Sequence, residues 1–211
     1  MAEGDYREID VPAGELAEVV TYLERREPPE GPPPEGPWRL ERRRAPDLDW
    51  YLGLYREVGE EWLWYSRLMM PRTEVARILE QPSVHVYGLV RDGHDVGIGE
   101  LNFAEPGEVE ICFFGVSASE FGAGAGRWLM RALLAEAWQA QPRRVWLHTC
   151  TLDHPHALPF YLRQGFRAYK RTVGIYADPR LDGDFARETA ARVPIIPPND
   201  GGGGGADEGL G

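Results

Sequence analysis

Cysteine is scarce in this sequence, which argues against a fold built on disulfides. Only two cysteines, Cys112 and Cys150, occur among 211 residues, and both lie in apolar, strand-like stretches. No group of cysteines and histidines has the spacing of a zinc site. We therefore expect two reduced, buried thiols in a cytoplasmic protein, and no metal.

A long apolar run and a basic N-terminal segment are also missing. The opening residues, MAEGDYREID, have neither the basic start nor the apolar run of a signal peptide. No stretch approaches the ~18 apolar residues of a membrane helix. The formal net charge of −11 argues against a nucleic-acid backbone as partner. The sequence thus predicts a protein with neither a nucleic-acid nor a membrane partner.

The composition is that of a soluble globular protein, with 43% hydrophobic and 27% charged residues. Residues 27–37, EPPEGPPPEGP, cannot form regular structure, because proline fixes φ and removes the amide donor. We predict an N-terminal extension with a proline-rich linker over 1–35, including a short strand at 6–11 and a weak helical or strand stretch around 16–23. One domain follows over 36–178, and the tail, 179–211, is predicted to be disordered or loosely packed from about residue 199.

The hydrophobic pattern and its breakers predict a mixed α/β fold. Alternating runs around Asp92-Gly93 and across 105–107 indicate an antiparallel meander of three strands. A helix then leads to a strand parallel to the third strand of the meander. The predicted elements are strand 38–44, helices 47–58 and 74–80, strands 84–90, 96–103 and 109–116, helix 127–140, strand 145–150, helix 156–164 and strand 166–176. This β-α-α-β-β-β-α-β-α-β order implies an α/β (α+β) domain with a mixed, mainly antiparallel sheet flanked by helices.

The sequence is organised around residues 108–130, where an apolar strand enters a glycine-rich turn that opens into a helix. Gly122, Gly124 and Gly126 alternate with alanines, so the turn carries almost no side chain. Backbone amides can therefore crowd against a bulky anion, and the helix adds its positive N-terminal dipole. We interpret the turn as a phosphate or pyrophosphate site. The alternative is a tight turn whose small residues serve packing alone.

Two common phosphate motifs do not fit this turn. A Walker loop ends in Gly-Lys followed by Ser or Thr, whereas Gly126 is followed by Arg127 and Trp128. A dinucleotide fingerprint has the spacing G-x-G-x-x-G and an acidic residue at the end of a second strand. Here the spacing is G-x-G-x-G, and Glu136 lies inside the predicted helix. Both motifs are excluded.

Two separated motifs carry a resemblance to a known family. Residues 116–126, VSASEFGAGAG, match the pattern V-x-x-x-x-[RQ]-G-x-G-x-G except at Phe121. Residues 154–166, HPHALPFYLRQGF, match N-x-x-A-x-x-F-Y-x-x-x-G-F except at His154. With these motifs on the right elements, residues 38–176 resemble the GCN5-related N-acetyltransferase (GNAT) superfamily.

The resemblance implies acetyl-CoA or another acyl-CoA as co-substrate, and activity as an N-acetyltransferase. The pyrophosphate would lie on the amides of the glycine turn, and the pantetheine arm would pair with the strand backbone before it. The N–H of Val116 would donate to the thioester carbonyl and stabilise the developing oxyanion. The implied cofactor-binding residues are Phe114, Gly115, Val116, Phe121, Gly122, Ala123, Gly124, Ala125, Gly126, Arg127 and His154.

Acyl transfer to an amine requires a base for the ammonium and an acid for the leaving thiolate. Glu110 interrupts an apolar strand, six residues before Val116, where many members of the family carry a base. Glu100, on the neighbouring strand, is the competing candidate. If both carboxylates face one cleft, their repulsion raises the pKa of one of them toward neutrality. The alternative for Glu110 is a solvent-facing position on the strand.

The remaining candidates lie on the last helix, on the second parallel strand and in the aromatic segment 62–70. Tyr161 matches the tyrosine that the family places beside the CoA sulfur, so we predict a general acid; otherwise it is a core tyrosine. His148 is a candidate for acceptor binding or proton transfer, or a hydrogen-bonded histidine of the sheet. Trp64 belongs to an aromatic wall that would suit an amine through cation–π contacts, or would only pack helices together.

The leading hypothesis is an N-acyltransferase that moves acetyl from acetyl-CoA to a primary amine, on a small molecule or a peptide, by direct attack. A second hypothesis is a non-catalytic fold that binds acyl-CoA as a sensor or regulatory module, which Phe121 and His154 favour. Glu110 and Tyr161 favour the first hypothesis over the second. A third hypothesis is a homodimer whose N-terminal segment serves assembly.

Overall fold

The apolar stretches of the sequence form seven strands of one mixed sheet, in a computed structural model that describes residues 8–198. The strands are β1 (Glu15–Arg25), β2 (Arg39–Arg43), β3 (Val84–Arg91), β4 (His94–Asn102), β5 (Glu108–Val116), β6 (Arg144–Cys150) and β7 (Arg167–Ala177). The helices are α1 (Leu48–Gly59), α2 (Ser66–Met69), α3 (Arg72–Leu79), α4 (Ala125–Trp138) and α5 (Ala157–Arg163). The order across the sheet is β2-β3-β4-β5-β6-β1-β7, in which β5 and β6 are parallel and the other described neighbours are antiparallel.

The predicted meander and fold class are confirmed. Strands β3 and β4 join through Asp92 and Gly93, whose φ values of 51° and 82° are the left-handed pair of a tight hairpin. From β2 to β7 the strands and longer helices follow the predicted order. The bounds of these elements differ from the predicted ones by only a few residues.

Helices cover both faces of the sheet. The Asp47 carboxylate accepts the N–H of Trp50 at 2.9 Å and caps α1, as the sequence predicted. On one face, Tyr51 and other residues of α1 pack in a cluster with β3 and β4. On the other, Leu129 and Leu133 of α4 pack in a cluster with β3 to β6. Among the described helices, none is both long enough and apolar enough to cross a membrane.

The N-terminal segment supplies an internal strand, whereas the sequence analysis treated it as an extension. Strand β1 lies between β6 and β7, with Leu16, Val20 and Leu23 buried. The sequence ELAEVVTYLER mixes charged and apolar residues without a clean period, so its position in the sheet could not be inferred locally. The folded unit therefore includes residues before 36. Residues 8–11 are not in a strand, and residues 6 and 7 of that prediction lie outside the described residues.

Two irregular segments complete the fold. Residues 27–37 have no regular secondary structure, as predicted, and lead from β1 to β2 at the far edge of the sheet. Residues 179–198 pack on the domain through Phe185 and Ala190, which lie in a buried cluster with Leu16 and Leu152. Arg180 holds the segment itself together, because it is 1% exposed and pairs with Asp178 at 2.7 Å. The guanidinium also donates to the carbonyl oxygens of Thr189 and Val193. The predicted disorder from about residue 199 falls outside the described residues.

Candidate active site

The two parallel strands separate near the centre of the sheet and leave a gap between them. Their pairing ends at Glu110 and Trp146, although β5 continues to Val116 and β6 to Cys150. Strand β5 also carries one extra residue beside the gap, because its register against β4 shifts around Cys112. A bulge of this kind bends the strand that carries it. The backbone of β5 is therefore open on the side of β6.

The open stretch of β5 directs hydrogen-bonding groups into this gap. The Ser117 N–H donates to the Val96 carbonyl at 2.9 Å, and Gly97 and Val116 are the next pair in register. Hydrogen-bonded and non-hydrogen-bonded pairs alternate along an antiparallel ladder. It follows that Phe114 and Val116 point their N–H and C=O groups away from β4. A ligand lying in the gap can pair with these groups as an added strand would.

A cavity of about 710 Å³ connects the gap with the glycine turn. This volume is in the range of small-molecule and cofactor sites. The candidate residues from the sequence that line it are Trp64, Phe114, Gly115, Val116, Phe121, Gly122, Gly124, Gly126, Arg127, His148, His154 and Tyr161. Among the described residues, the cavity lining does not include Ala123, Ala125, Glu100 or Glu110. No cluster of side chains within residues 8–198 is suited to hold a metal ion.

The glycine turn presents a row of free backbone amides to this cavity. Gly122 and Gly124 have φ values of 77° and 93°, which residues with a Cβ seldom adopt. Within residues 8–198, the N–H groups of Gly122 and of residues 124–127 have no hydrogen-bond acceptor. Four of these amides belong to the start of α4, where the helix dipole is positive. A row of free amides of this kind can stabilise an anion, which is the role that the sequence analysis predicted for the turn.

Glu110 and His148 form a pair at the point where β5 and β6 separate. Glu110 Oε1 lies 3.7 Å from His148 Nδ1, and His148 lines the cavity. Burial raises the pKa of Glu110 above its usual value, and the neighbouring His148 opposes part of that rise. A carboxylate with a raised pKa is a better proton acceptor than an ordinary surface glutamate. The structure therefore brings the two predicted residues together, and of the two His148 lines the cavity.

Tyr161 reaches the same cavity from α5. Its ring packs edge-on against Phe114, with 5.9 Å between the ring centroids, and its side chain is buried. Burial, with a smaller contribution from Asp153, raises the pKa of Tyr161 well above that of a free phenol. The hydroxyl is consequently protonated at neutral pH and can act as a proton donor.

Glu100 requires a correction. Its carboxylate is fully buried and accepts hydrogen bonds from Arg67 Nη2 at 2.8 Å and from the Tyr51 hydroxyl at 2.6 Å. Among the described residues it is not part of the cavity lining. The carboxylate is occupied by an internal ion pair, so we no longer assign Glu100 to substrate binding or to the base. The sequence prediction missed this because Arg67 lies 33 residues away in the chain.

Residues 34–166 match the family model described as the acetyltransferase (GNAT) family. That range contains the glycine turn, the gap between β5 and β6, and Tyr161. The chain belongs to the GNAT family. The resemblance inferred from the two sequence motifs is thereby confirmed, and the open β5 edge can be described as part of a GNAT fold.

Solved structures share the GNAT fold at low sequence identity. An aminoglycoside acetyltransferase from an uncultured soil metagenomic sample is 19% identical, with a TM-score of 0.54 over 67% of this chain and 96% of that one. A GCN5-related N-acetyltransferase from Sphaerobacter thermophilus is 20% identical, with a TM-score of 0.51 over 79% and 53%. A conserved protein of unknown function from Staphylococcus epidermidis is 16% identical, with a TM-score of 0.53 over 77% and 62%. Such identities show the fold alone. A comparison with curated proteins finds no match.

The two positions that depart from the GNAT motifs contact each other. The rings of Phe121 and His154 meet edge-on with centroids 5.5 Å apart, and Trp62 lies 4.7 Å from His154. Burial and the proximity of His156 lower the pKa of His154, which favours a neutral ring. These side chains form an aromatic cluster beside the turn. Position 121 therefore offers no side-chain hydrogen-bond donor to an anion, whereas the free backbone amides of the turn remain available.

Glu120 is a functional candidate that the sequence analysis missed. It precedes the glycine turn, is 4% exposed, and accepts the indole N–H of Trp38 at 2.8 Å. Arg91 donates to the same carboxylate at 3.1 Å. The Trp38 ring also lies 4.0 Å from the position that a Cβ on Gly124 would take. Glu120 thus anchors the turn to Trp38, just before β2, and to Arg91 of β3, an arrangement that only the tertiary structure reveals.

Asp153 is a second functional candidate that the sequence analysis did not select. It accepts hydrogen bonds from the Thr149 hydroxyl at 2.5 Å and from the Cys150 N–H at 2.9 Å, which fixes the end of β6. It also accepts from the indole N–H of Trp64 at 3.2 Å. Trp64 in turn lies over Gly115, where a Cβ would meet its ring at 3.2 Å. Asp153 therefore positions the aromatic wall that the sequence analysis predicted for the acceptor.

Proposed function

We propose that this GNAT protein transfers an acyl group, most simply acetyl, from acyl-CoA to a primary amine by direct attack on the thioester. One observation carries the proposal. A single cavity joins the free amides of the glycine turn, the open edge of β5, Tyr161 and His148, and Glu110 lies behind the lining, 3.7 Å from His148. Family membership supports acyl-CoA-dependent acetyl transfer in general.

The residues around the turn fit an acyl-CoA. The amides of Gly122 and of residues 124–127 match a pyrophosphate, because a helix N-terminus with free N–H groups stabilises negative charge. The polar backbone of Phe114 and Val116 matches the amides of a pantetheine arm. Acyl-CoA supplies the activated thioester carbonyl, and the Val116 N–H is the donor we assign to its developing oxyanion.

Proton transfer is assigned to three side chains. We assign Glu110 as the base that removes the proton of the attacking ammonium, either through His148 or through a water molecule beside it. The buried Tyr161 phenol is assigned as the acid that returns a proton to the leaving thiolate. The raised pKa of Glu110 agrees with the base role, and the raised pKa of Tyr161 keeps the phenol protonated until a thiolate forms.

The acceptor is proposed to be a primary amine on a small molecule or a peptide. Aromatic side chains, among them Trp64 and Tyr65, line the cavity together with the acidic residues Glu18 and Asp153. An ammonium group is attracted both to aromatic faces and to carboxylates.

Cys112 and Cys150 are free thiols, which agrees with the proposed cytoplasmic location. A homodimer remains a prediction.

Thermal unfolding with ligand tests the cofactor site. Acetyl-CoA or CoA at 100 times its Kd should stabilise the folded protein by about 2.7 kcal/mol, which is roughly 5–10 °C in Tm for a domain of this size. ATP at the same concentration should give a smaller shift, since it has no pantetheine arm to pair with β5. A protein whose Tm does not respond to either CoA species would contradict the proposed function.

A glycine substitution provides the matched variant for this measurement. A Cβ at Gly126 would lie 4.0 Å from Phe114 in the cavity, so Gly126→Leu should fill the site and remove the Tm shift. At Gly53 on α1 a Cβ would meet nothing within 4 Å, so Gly53→Leu serves as control and should keep the full shift. Equal shifts in both variants would place the cofactor elsewhere.

Tyr161→Phe tests the proposed acid. We expect kcat to fall by up to about 10²-fold, the low end of general acid catalysis, because a thiolate is already a good leaving group. The Tyr161 hydroxyl has no hydrogen-bond partner within residues 8–198, so the free energy of unfolding should hardly change. Tyr169→Phe, on the exposed face of β7, removes the same hydroxyl and should leave kcat unchanged. Unchanged kcat in Tyr161→Phe would contradict the acid role.

A second candidate function is the binding of acyl-CoA without turnover. It is favoured by the aromatic contact between Phe121 and His154, which replaces the polar side chains of the two GNAT motifs. A panel of amines assayed for thiol release discriminates the two functions. Binding of acetyl-CoA with no thiol release for any amine class would favour the sensor over the transferase.

A further inference from the structure

A second cavity, of about 380 Å³, adjoins the first and is lined mainly by arginine. Its lining residues are Arg25, Arg127, Arg131, Arg163, Gln164 and Gly165. No acidic residue is among them in the described part of the chain. Arg127 and Arg163 line both cavities, so the second cavity continues from the glycine turn. We call it the arginine pocket.

Three separate elements bring these arginines together. Arg25 ends β1, Arg163 ends α5, and Arg127 and Arg131 lie four residues apart in the first part of α4. That spacing places Arg127 and Arg131 on one face of the helix. The convergence thus depends on β1, the strand that the sequence analysis placed outside the domain.

The positive charge of the pocket is largely uncompensated. Within residues 8–198, Arg127 and Arg163 have neither an ion pair nor a hydrogen-bond acceptor, and Arg131 donates to the Gly31 carbonyl at 3.2 Å. Burial and the nearby charge of Arg131 lower the pKa of Arg25, although Glu27 and Glu30 offset part of this effect. Four guanidinium groups therefore surround one opening, and none of them is paired with a carboxylate among the described residues.

The Arg25 guanidinium is held in place by three hydrogen bonds and still has free N–H donors. Its guanidinium donates to the carbonyl oxygens of Glu27 at 2.7 Å, Pro28 at 3.0 Å and Gln164. A guanidinium has five N–H donors, so two remain for a ligand. Gly165, with φ 85°, leaves the space that Arg25 occupies, because a Cβ there would collide with the guanidinium. The Arg25 guanidinium is therefore fixed in the pocket before any ligand binds.

We propose that the arginine pocket binds a phosphomonoester, namely the 3′-phosphate on the ribose of the CoA nucleotide; this rests on the proposed function. Guanidinium groups bind phosphate through paired, charge-assisted hydrogen bonds. The CoA nucleotide carries this monoester next to the pyrophosphate that we place on the glycine turn, and Arg127 and Arg163 lie between the two cavities. The pocket thereby selects free acyl-CoA over pantetheine thioesters that lack the 3′-phosphate.

The test compares CoA with 3′-dephospho-CoA by isothermal titration of the full chain. We expect CoA to bind at least about tenfold more tightly, since dephospho-CoA leaves the arginines without their anion. The preference should weaken at high ionic strength. Equal affinity for the two ligands would overturn the inference while leaving the proposed function intact. Absence of binding by both would overturn the proposed function, and the inference with it.

The variant Arg163→Gln tests whether the preference for CoA over dephospho-CoA arises in the arginine pocket. Arg163 is exposed and has no partner among the described residues, so its replacement should not affect folding. We expect the preference for CoA to fall several-fold, with little change in the affinity for dephospho-CoA. Arg171→Gln, an exposed arginine on β7, is the control and should keep the full preference. An equal loss for both ligands in Arg163→Gln would contradict the assignment.

Competition by inorganic phosphate tests whether the 3′-phosphate of CoA binds in the arginine pocket rather than at the glycine turn. If the pocket serves the CoA nucleotide, millimolar phosphate should compete with CoA and leave dephospho-CoA binding unimpaired. Competition with both nucleotides would mean that phosphate acts at the glycine turn instead, and the assignment of the arginine pocket would fall.

Discussion

Replacement of Glu110 by glutamine should lower kcat/KM by about 10²–10⁴-fold, the range expected for loss of a general base. Glutamine keeps the size and the hydrogen-bonding capacity of the side chain but cannot accept the proton of an ammonium. Glu110 lies 3.7 Å from His148, which lines the cavity. The affinity for acetyl-CoA, measured by titration, should be unchanged, because the glycine turn and the β5 edge are untouched.

The pH profile of this variant separates catalysis from structure. A base acts only when deprotonated, so kcat/KM of the wild type should rise with pH through the pKa of Glu110. Burial raises that pKa above its usual value of 4.5, so the acidic limb should be displaced toward neutrality. Glu110→Gln should lose that limb.

Glu108→Gln is the matched control, since it makes the same change two residues earlier on β5. Glu108 pairs with Arg144 at 2.7 Å, whereas Glu110 lies beside His148 of the cavity lining. Its kcat/KM and pH profile should follow the wild type. A Glu110→Gln variant that retains wild-type kcat/KM would make our mechanism wrong without affecting the fold.

The free energy of unfolding of Glu110→Gln should rise, although its activity falls. A carboxyl whose pKa is raised by folding contributes stability while protonated, and that contribution is lost as pH rises through its folded pKa. At neutral pH the ionised Glu110 therefore costs stability, and Glu110→Gln should unfold at a slightly higher denaturant concentration. A residue kept at such a cost is better explained by function than by packing.

Local sequence signals were sufficient where one stretch of chain determines its own structure. The Asp92-Gly93 hairpin, the Asp47 cap and the glycine turn each follow from turn or cap chemistry within a few residues. Tyr161 could be placed beside the turn because its motif fixes both its helix and the position of that helix after β6. These features formed the outline of the active site.

Features that depend on distant partners could not be predicted in this way. Glu100 has the sequence context of a cleft carboxylate, and its role changed only because Arg67 reaches it from another segment. Glu120 and Asp153 likewise act through tryptophans 82 and 89 residues away. A carboxylate carries no local sign of which donor it will meet in the folded protein.

Strand β1 is the clearest example of a feature that the local sequence did not predict, and it also contributes residues to the proposed site. Its charged residues obscured the period that marks a strand, yet its register brings Glu18 to the main cavity and Arg25 to the arginine pocket. Both ends of the proposed site therefore include residues of a segment outside the predicted domain. Residues 15–25 contribute to the site as well as to the sheet.

Replacing Arg67 with methionine should cost about 3–5 kcal/mol of the free energy of unfolding, because it leaves the Glu100 carboxylate buried without a cation. Arg67 donates to Glu100 at 2.8 Å, and the Tyr51 hydroxyl that also binds Glu100 accepts from Arg67 at 3.2 Å. Glu100 is fully buried, so water cannot replace the lost partner. In Tm the loss corresponds to roughly 6–20 °C for a domain of this size.

Two further variants show whether the cost arises from the unpaired charge. The double variant Arg67→Met with Glu100→Leu removes both charges and should recover most of the stability, because a buried ion pair is often no better than an apolar pair. Arg72→Gln breaks the exposed pair with Asp49 at 2.5 Å and should cost less than about 1 kcal/mol. If Arg67→Met behaved like Arg72→Gln, Glu100 would be accessible to water. It would then again be a candidate for contact with the substrate.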